Sequence, residues 1–364
     1  MRPVFFSRRD DGMWIEKRIK MRIVNLALQG GGALGALTWG ILDRLLQESW
    51  LAVDGISGSS AGAMNAVALA AGWARDGRDG ARAQLESFWT AVGKASYAVP
   101  LSHPRRADDL PSSSRFLLGL TRFFSPYQLN PLDINPLRRI IEGTIDFELV
   151  RRSPVRLFVG ATRVRTGTLR VFGNAALTAE HLLASACLPA ISRAVVIDGE
   201  AYWDGGYAGN PAIYPLLDGG SAKDIVVVLL LPRERPGAPT RAEGIRARVA
   251  EIHLNATFLR EMHAIATAQQ VARRGWLRGP LERRIAGARF HLIETEDLVN
   301  RFAAEKAMDT SLPFLIRLRD EGRERAADWL RQQGPAIGRR SSIDLPALFG
   351  DSEERGVEAC APSL

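Results

Sequence analysis

Ser60 stands within Gly58-Ser59-Ser60-Ala61-Gly62, the Gly-x-Ser-x-Gly spacing in which a strand turns abruptly into a helix with serine at the apex. Such a serine can attack an acyl carbon, provided that a base takes its proton and donors hold the developing oxyanion. The spacing has a steric cause. A serine in a sparsely populated backbone conformation draws together the residues two before and two after it, where only glycine leaves room. The base suggested by the sequence is Asp204, which precedes Gly205 and Gly206 and is delivered by a hairpin turning at Asp198-Gly199. An aspartate before two glycines is also an ordinary turn former. It becomes a base through a partner and through burial, because a carboxylate titrating near pH 4 accepts protons poorly in water.

The donors are expected from Gly30-Gly31-Gly32-Ala33-Leu34-Gly35, a glycine turn between a strand and a helix, which points backbone N–H groups at whatever sits above it. Two chemistries compete for this turn. Gly30-x-Gly32-x-x-Gly35 fits a dinucleotide fingerprint with Asp54 as the ribose contact. Alternatively, Gly31 and Gly32, with Gly30 beside them, form an oxyanion hole for an ester attacked by Ser60. Asp54 runs straight into the serine elbow instead of closing a second strand, which favours the oxyanion hole. A histidine triad is the other alternative, since His253, His263 and His291 follow Asp204 in the chain. All three lie within helical or strand patterns, away from any glycine loop, and are expected to be packing or surface residues. His103 and His181 precede Asp204.

These residues need a sheet whose strand ends share one edge. Ile23 to Leu28 reads as a strand, Ala36 to Leu46 as a helix, and the small and apolar run Ala61 to Ala71 as a buried helix. Residues 73–130 read as an insertion, in which the greasy run Phe116-Leu117-Leu118-Gly119-Leu120-Thr121-Arg122-Phe123-Phe124 either packs onto the core or forms a lid or acyl-chain gate. Val155 to Ala161 and Thr162 to Phe172 read as a strand and its hairpin return, and Ala179 to Ala186 as a helix. Asp224 to Leu231 is a continuous apolar strand, as in a parallel sheet covered on both faces. Past the Pro/Arg-rich stretch 232–239, residues 241–276 show helical spacing of Ile245, Val249, Ile252, Leu259, Met262 and Ile265. Arg289 to Glu294 reads as one more strand. Residues 309–330 return to helix, with Phe314, Leu315, Leu318, Trp329 and Leu330 as the buried stripe. The expected organisation is an arm over 1–21, a catalytic domain over 22–233, a mainly helical extension over 234–335 and a loop-rich tail over 336–364.

Composition sets bounds on partners. The chain has 364 residues, 46% hydrophobic and 24% charged, which is ordinary for a globular protein and excludes disorder as its overall state. The net charge of +8 favours anionic partners. The arginines are scattered without a dominant basic block and read mainly as a solvated surface, so nucleic acid is not expected, and peripheral contact with an anionic membrane is the lesser alternative. Cys187 and Cys360 show no metal or redox spacing, so neither a metal nor a disulfide framework is expected. No signal-peptide pattern and no run of about 18 apolar residues is present, and a cytoplasmic location is the resulting expectation.

Taken in order, the Gly30-Gly31-Gly32-x-x-Gly35 loop, the Gly58-x-Ser60-x-Gly62 elbow and Asp204-Gly205-Gly206 resemble the patatin-like phospholipases, over about Arg22 to Leu231. The resemblance implies a three-layer α/β/α fold with a mainly parallel sheet. It also implies a Ser60/Asp204 dyad that hydrolyses lipid acyl esters without metal or cofactor, and an oxyanion hole from the first glycine loop. Many relatives carry arginine where this chain has Leu34, which makes a neutral or single-chain acyl ester a candidate substrate beside phospholipid. A catalytically idle lipid-binding module of the same fold is the alternative.

Overall fold

The computed structural model describes residues 4–8, 14–18, 21–96, 125–130, 132–235, 237–274, 279–301 and 309–350. β1 (Val4–Arg8) and β2 (Trp14–Arg18) pair as an antiparallel ribbon outside the main sheet. β3 (Arg22–Leu28) leads through a short turn of 3-10 helix, Gly32–Leu34, into α1 (Gly35–Leu45). β4 (Leu51–Ser59) leads through Ser60 into α2 (Ala61–Ser96), which breaks at Asp76 and Gly77. Three short helices follow, α3 (Pro126–Leu129), α4 (Pro136–Thr144) and α5 (Phe147–Arg152). Asn135 and Asp146 start the last two by accepting from the N–H groups of Leu137 and Glu148.

β5 (Arg156–Arg163), β6 (Leu169–Phe172), α6 (Ala179–Ser185), β7 (Val195–Ile197), β8 (Glu200–Asp204), α7 (Tyr214–Leu217) and β9 (Asp224–Leu229) come next. The chain ends in α8 (Ala242–Arg274), α9 (Pro280–Gly287), β10 (Arg289–Glu294), α10 (Glu296–Arg301), α11 (Leu312–Gln332) and α12 (Leu345–Phe349). Pairing runs β10-β9-β3-β4-β5-β8-β7, with β6 also on β5. β10, β9, β3, β4 and β5 are parallel, while β6, β7 and β8 run against them.

Side chains alternate across a strand, and that alternation builds two cores. Val24, Leu26, Leu28, Val226, Val228 and Ile293 point to the face covered by α1, α2 and α11. Ala27, Ile225, Val227, Leu229, Phe290 and Leu292 point to the face covered by α8 and α12. The result is the three-layer arrangement read from the sequence. Leu85, Phe88 and Trp89, in the second half of α2, belong to the first core. The proposed lid, Phe116 to Phe124, lies outside the described residues.

The periodicity of α8 divides into two environments. Phe258, Met262, Ile265 and Ala266 are buried against the sheet, but Ile245, Val249 and Ile252 are 46%, 60% and 52% exposed. Helical spacing defines a face without saying what meets it. α11 carries the expected buried stripe of Phe314, Leu315, Leu318, Trp329 and Leu330. No helix among the described residues is long and apolar enough to cross a membrane.

Candidate active site

Parallel strands end together, so the glycine turn after β3 and the elbow after β4 open at the same sheet edge. Leu28 pairs with Gly58, which places the two turns side by side. At the elbow Ser60 has φ 54°, the left-handed region that costs a non-glycine residue strain. The flanking glycines explain how the chain holds it. A Cβ on Gly58 would lie 2.6 Å from the Gly62 carbonyl carbon, and one on Gly62 would lie 2.1 Å from the Leu28 oxygen. The Ser60 N–H donates to both the backbone oxygen and the Oγ of Ser185, each at 3.0 Å.

Asp204 reaches the same place through β5. Ser59 pairs with Gly160 and Asp204 pairs with Ala161, so consecutive residues of one strand seat the two candidate groups on neighbouring rungs. The Asp204 carboxylate is buried, 2% exposed. Its Oδ1 accepts from the Gly206 N–H at 2.7 Å, and the Ser60 hydroxyl lies near enough to favour the charged carboxylate. Burial pushes the Asp204 pKa up to about 6, against the opposing pull of the Gly206 N–H and the nearby Ser60 hydroxyl. The Asp204 backbone is pinned as well, its N–H donating to Cys187 O at 2.8 Å and its carbonyl accepting from Thr162 Oγ1 at 2.8 Å.

The glycine loop lies directly against the serine, since a Cβ on Gly30 would fall 2.8 Å from Ser60 Cβ. One expectation changes here. The Gly30 N–H is already committed to Asn210 Oδ1 at 2.7 Å, so the three-glycine donor set narrows to Gly31 and Gly32. Neither of those N–H groups has a partner among the described residues. The Ala61 N–H, in the first turn of α2, is likewise unspent, as expected for the opening turn of a helix. Leu34 is buried in the core and offers no side chain to the site.

Several supporting residues carry no spacing signal in the sequence. Asn65 Nδ2 donates to both Gly35 O and Ala61 O at 3.0 Å, tying the two helix starts together, and its Oδ1 accepts from Trp89 Nε1. Gln29 Nε2 donates to Asn210 O and to Asn255 Oδ1, and Gln29 Oε1 accepts from the N–H groups of Leu230 and Leu231. Ser59 Oγ donates to Gly209 O at 2.6 Å. All of these side chains are buried. Together they fix the loop after Asp204 against the glycine turn.

The competing readings find no geometry. Asp54 accepts from Arg156, Ser221 and Ala222 and is committed away from the glycine loop. His291 is held between Asp224 Oδ1 (2.9 Å) and Ser342 Oγ (3.1 Å) at the beginnings of β9 and β10. His263 contacts Phe349 O, His181 contacts Thr178, and the His253 ring packs on Tyr207. Among the described residues His181, His253 and His291 make no hydrogen bond to Ser60 or Asp204. Among the described residues no cluster of His, Cys, Asp and Glu could hold a metal ion. Burial raises the Cys187 thiol pKa to about 11, which leaves it protonated.

A profile of the patatin-like phospholipase family matches residues 26–217. No curated protein matches the sequence. Among solved structures, VipD from Legionella pneumophila aligns over 90% of this chain and 70% of its own at 14% identity, with a TM-score of 0.36. The heterodimeric ExoU–SpcU complex from the type III secretion system of Pseudomonas aeruginosa gives 14% identity and a TM-score of 0.30. There the alignment covers 91% of this chain and 55% of that one.

Proposed function

The chain belongs to the patatin-like phospholipase family, and we propose from that premise that it is a serine hydrolase of lipid acyl esters working through Ser60 and Asp204. One observation carries the proposal: Ser60, held at positive φ, and the buried Asp204 carboxylate, raised to about 6, come together at one sheet edge through neighbouring rungs of β5. Ser60 Oγ attacks the ester carbonyl while its proton passes to Asp204. The tetrahedral oxyanion settles against the N–H groups of Gly31 and Gly32, with Ala61 N–H and the positive end of α2 beside them. Asp204 then returns the proton to the departing alkoxide as the ester C–O bond breaks. In the second half, Asp204 takes a proton from water, whose oxygen attacks the acyl-serine, and gives it back to Ser60 as free acid leaves. A carboxylate near 6 is a far better base than one at its ordinary value.

The substrate class follows from the family together with the surface beside the site. The exposed apolar residues Ile245, Val249 and Ile252 of α8 lie a few residues before His253, which packs on Tyr207, three residues past Asp204. Such a stripe suits contact with an aggregated lipid surface. A serine-directed phosphonate probe tests the core of the proposal. Wild type is expected to label stoichiometrically and Ser60→Ala not at all, and wild type alone should release fatty acid from mixed natural lipids. Equal labelling of the two proteins would exclude Ser60 as nucleophile, and labelling without product would leave a lipid-binding module.

Asn210 is a positioning residue in this scheme, because it orients the Gly30 peptide against Ser60 without touching substrate. Asn210→Ala is expected to lower kcat by about 10- to 100-fold with little change in KM, as for ångström-scale misplacement of a catalytic frame. A proportional rise in KM with kcat unchanged would show that Asn210 shapes ground-state binding instead.

A further inference from the structure

The opposite edge of the sheet, where the parallel strands begin, holds a separate cavity. Its volume is about 920 Å³, and it is walled by the starts of β3, β9 and β10, the end of α1 and the segment after α11. Six cationic side chains line it, Arg22, Arg44, Lys223, Arg289, Arg331 and Arg339, against two carboxylates, Glu48 and Asp224.

Both carboxylates are already matched. Glu48 accepts from Arg44 at 2.8 Å and from Trp50 Nε1 at 2.5 Å. Asp224 accepts from Arg289 at 2.9 and 2.5 Å, from His291 at 2.9 Å and from the Gly338 N–H at 2.9 Å. Burial alone would raise its pKa, but these hydrogen bonds override that and hold it well below the usual carboxylate range. The cations are less fully used. Arg331 pairs with the exposed Asp328, and Arg22 donates to Gly334 O at 2.9 Å while lying over the Trp50 ring. The exposed side chains of Lys223 and Arg339 have no ion-pair or hydrogen-bond partner among the described residues.

We propose that this cavity binds a small molecule carrying two or more phosphate groups. Positive charge converges from several elements on one concave space, more than a single anionic group can match. Guanidinium forks suit phosphate oxygens in pairs. The volume lies within the range of small-ligand pockets, too confined for a nucleic-acid duplex. Ile23, Trp50 and Pro335 supply an apolar wall for the part of the ligand that carries the phosphates.

The test is calorimetric titration of the full chain with inorganic tripolyphosphate and with ATP at physiological ionic strength. In parallel, neutral vesicles with and without a bisphosphorylated inositol lipid are floated with the protein. Wild type is expected to bind at least one of these phosphate probes. The double variant Lys223→Glu/Arg339→Glu should bind at least about tenfold more weakly, a difference of roughly 1.4 kcal/mol. Lys223→Gln/Arg339→Gln should shift in the same direction and covers the case in which the charge reversal disturbs folding. Arg246→Glu/Arg260→Glu, the same charge change at exposed positions of α8, should bind as wild type does. Capture on doped vesicles without binding of free polyphosphate would identify the ligand as a lipid headgroup, and binding of free polyphosphate would identify a soluble one. The proposal is overturned if wild type binds none of the probes, or if the α8 variant loses as much affinity as the cavity variant.

Discussion

Asp204→Asn is expected to abolish hydrolysis and, at neutral pH, to make the protein more stable. The loss of activity follows from removing the proposed base. Asparagine keeps an oxygen for the Gly206 N–H but cannot take the Ser60 proton, and general-base removal costs about 10²- to 10⁴-fold in rate. The gain in stability follows from the same burial that makes the base useful. Asp204 is raised to about 6 because its carboxylate is desolvated, so ionising it in the folded protein opposes folding by about 3 kcal/mol.

The pH dependence fixes the sign of both effects. A folded-state pKa above the unfolded value means that the native protein binds the proton more tightly. The associated stability is therefore present below about pH 4 and is lost as pH rises through about 6. Wild type and Asp204→Asn should melt at similar temperatures near pH 4. The variant should melt a few degrees higher above pH 6, with the gap opening between those values. Wild-type kcat/KM should fall about tenfold per pH unit below about 6, as the base becomes protonated. An Asp204→Asn protein that retains more than a tenth of wild-type turnover would remove Asp204 from the mechanism. A melting gap that is the same at pH 4 and pH 8 would show that the carboxylate is not the source of the difference.

What the sequence could reveal depended on whether a residue's role is imposed locally. The elbow was legible because Gly58, Ser60 and Gly62 meet a steric demand within five residues. Asp204 was legible as a residue type, but its meeting with Ser60 depends on β5, where Gly160 and Ala161 pair with the two strands. Pairing across a hundred residues leaves no spacing to read. Asn210, Gln29 and Asn255 escaped for a related reason. Each is an ordinary polar residue whose partners lie far along the chain, and the only signal is their burial. The commitment of Gly30 to Asn210 was hidden with them, which is why the expected donor set included one amide too many. His291 shows the converse: an apolar strand pattern announced its burial, while its pairing with Asp224 and Ser342 depends on segments that only the fold brings together.

Glycines inside helices were the least legible signal, and they lead to the largest expected change in stability. Glycine in a helix interior costs about 1 kcal/mol relative to alanine, so its presence needs a reason. Gly40 of α1 and Gly322 of α11 supply one for each other's helix. A Cβ on Gly40 would lie 1.9 Å from Arg319 O, and one on Gly322 would lie 2.2 Å from Leu37 O. The two backbones cross in contact, and no rotamer change relieves a collision with a carbonyl. Gly40→Val or Gly322→Val must separate the helices and loosen Leu315, Leu318 and Ala326 from the core that α1 shares. The expected cost is at least about 3 kcal/mol, the upper end of ordinary overpacking, read as a lowered denaturant midpoint. Gly143 of α4 is the matched control, because a Cβ there meets nothing within 4 Å. Gly143→Ala is expected to stabilise by about 0.5–1 kcal/mol through helix propensity alone. Substitutions of Gly40 and Gly143 that shift stability in the same direction would mean that close approach of α11 to α1 does not govern the packing. The opposite signs expected here would make α11 part of the structural support of the first glycine turn, because α1 is the helix into which that turn leads.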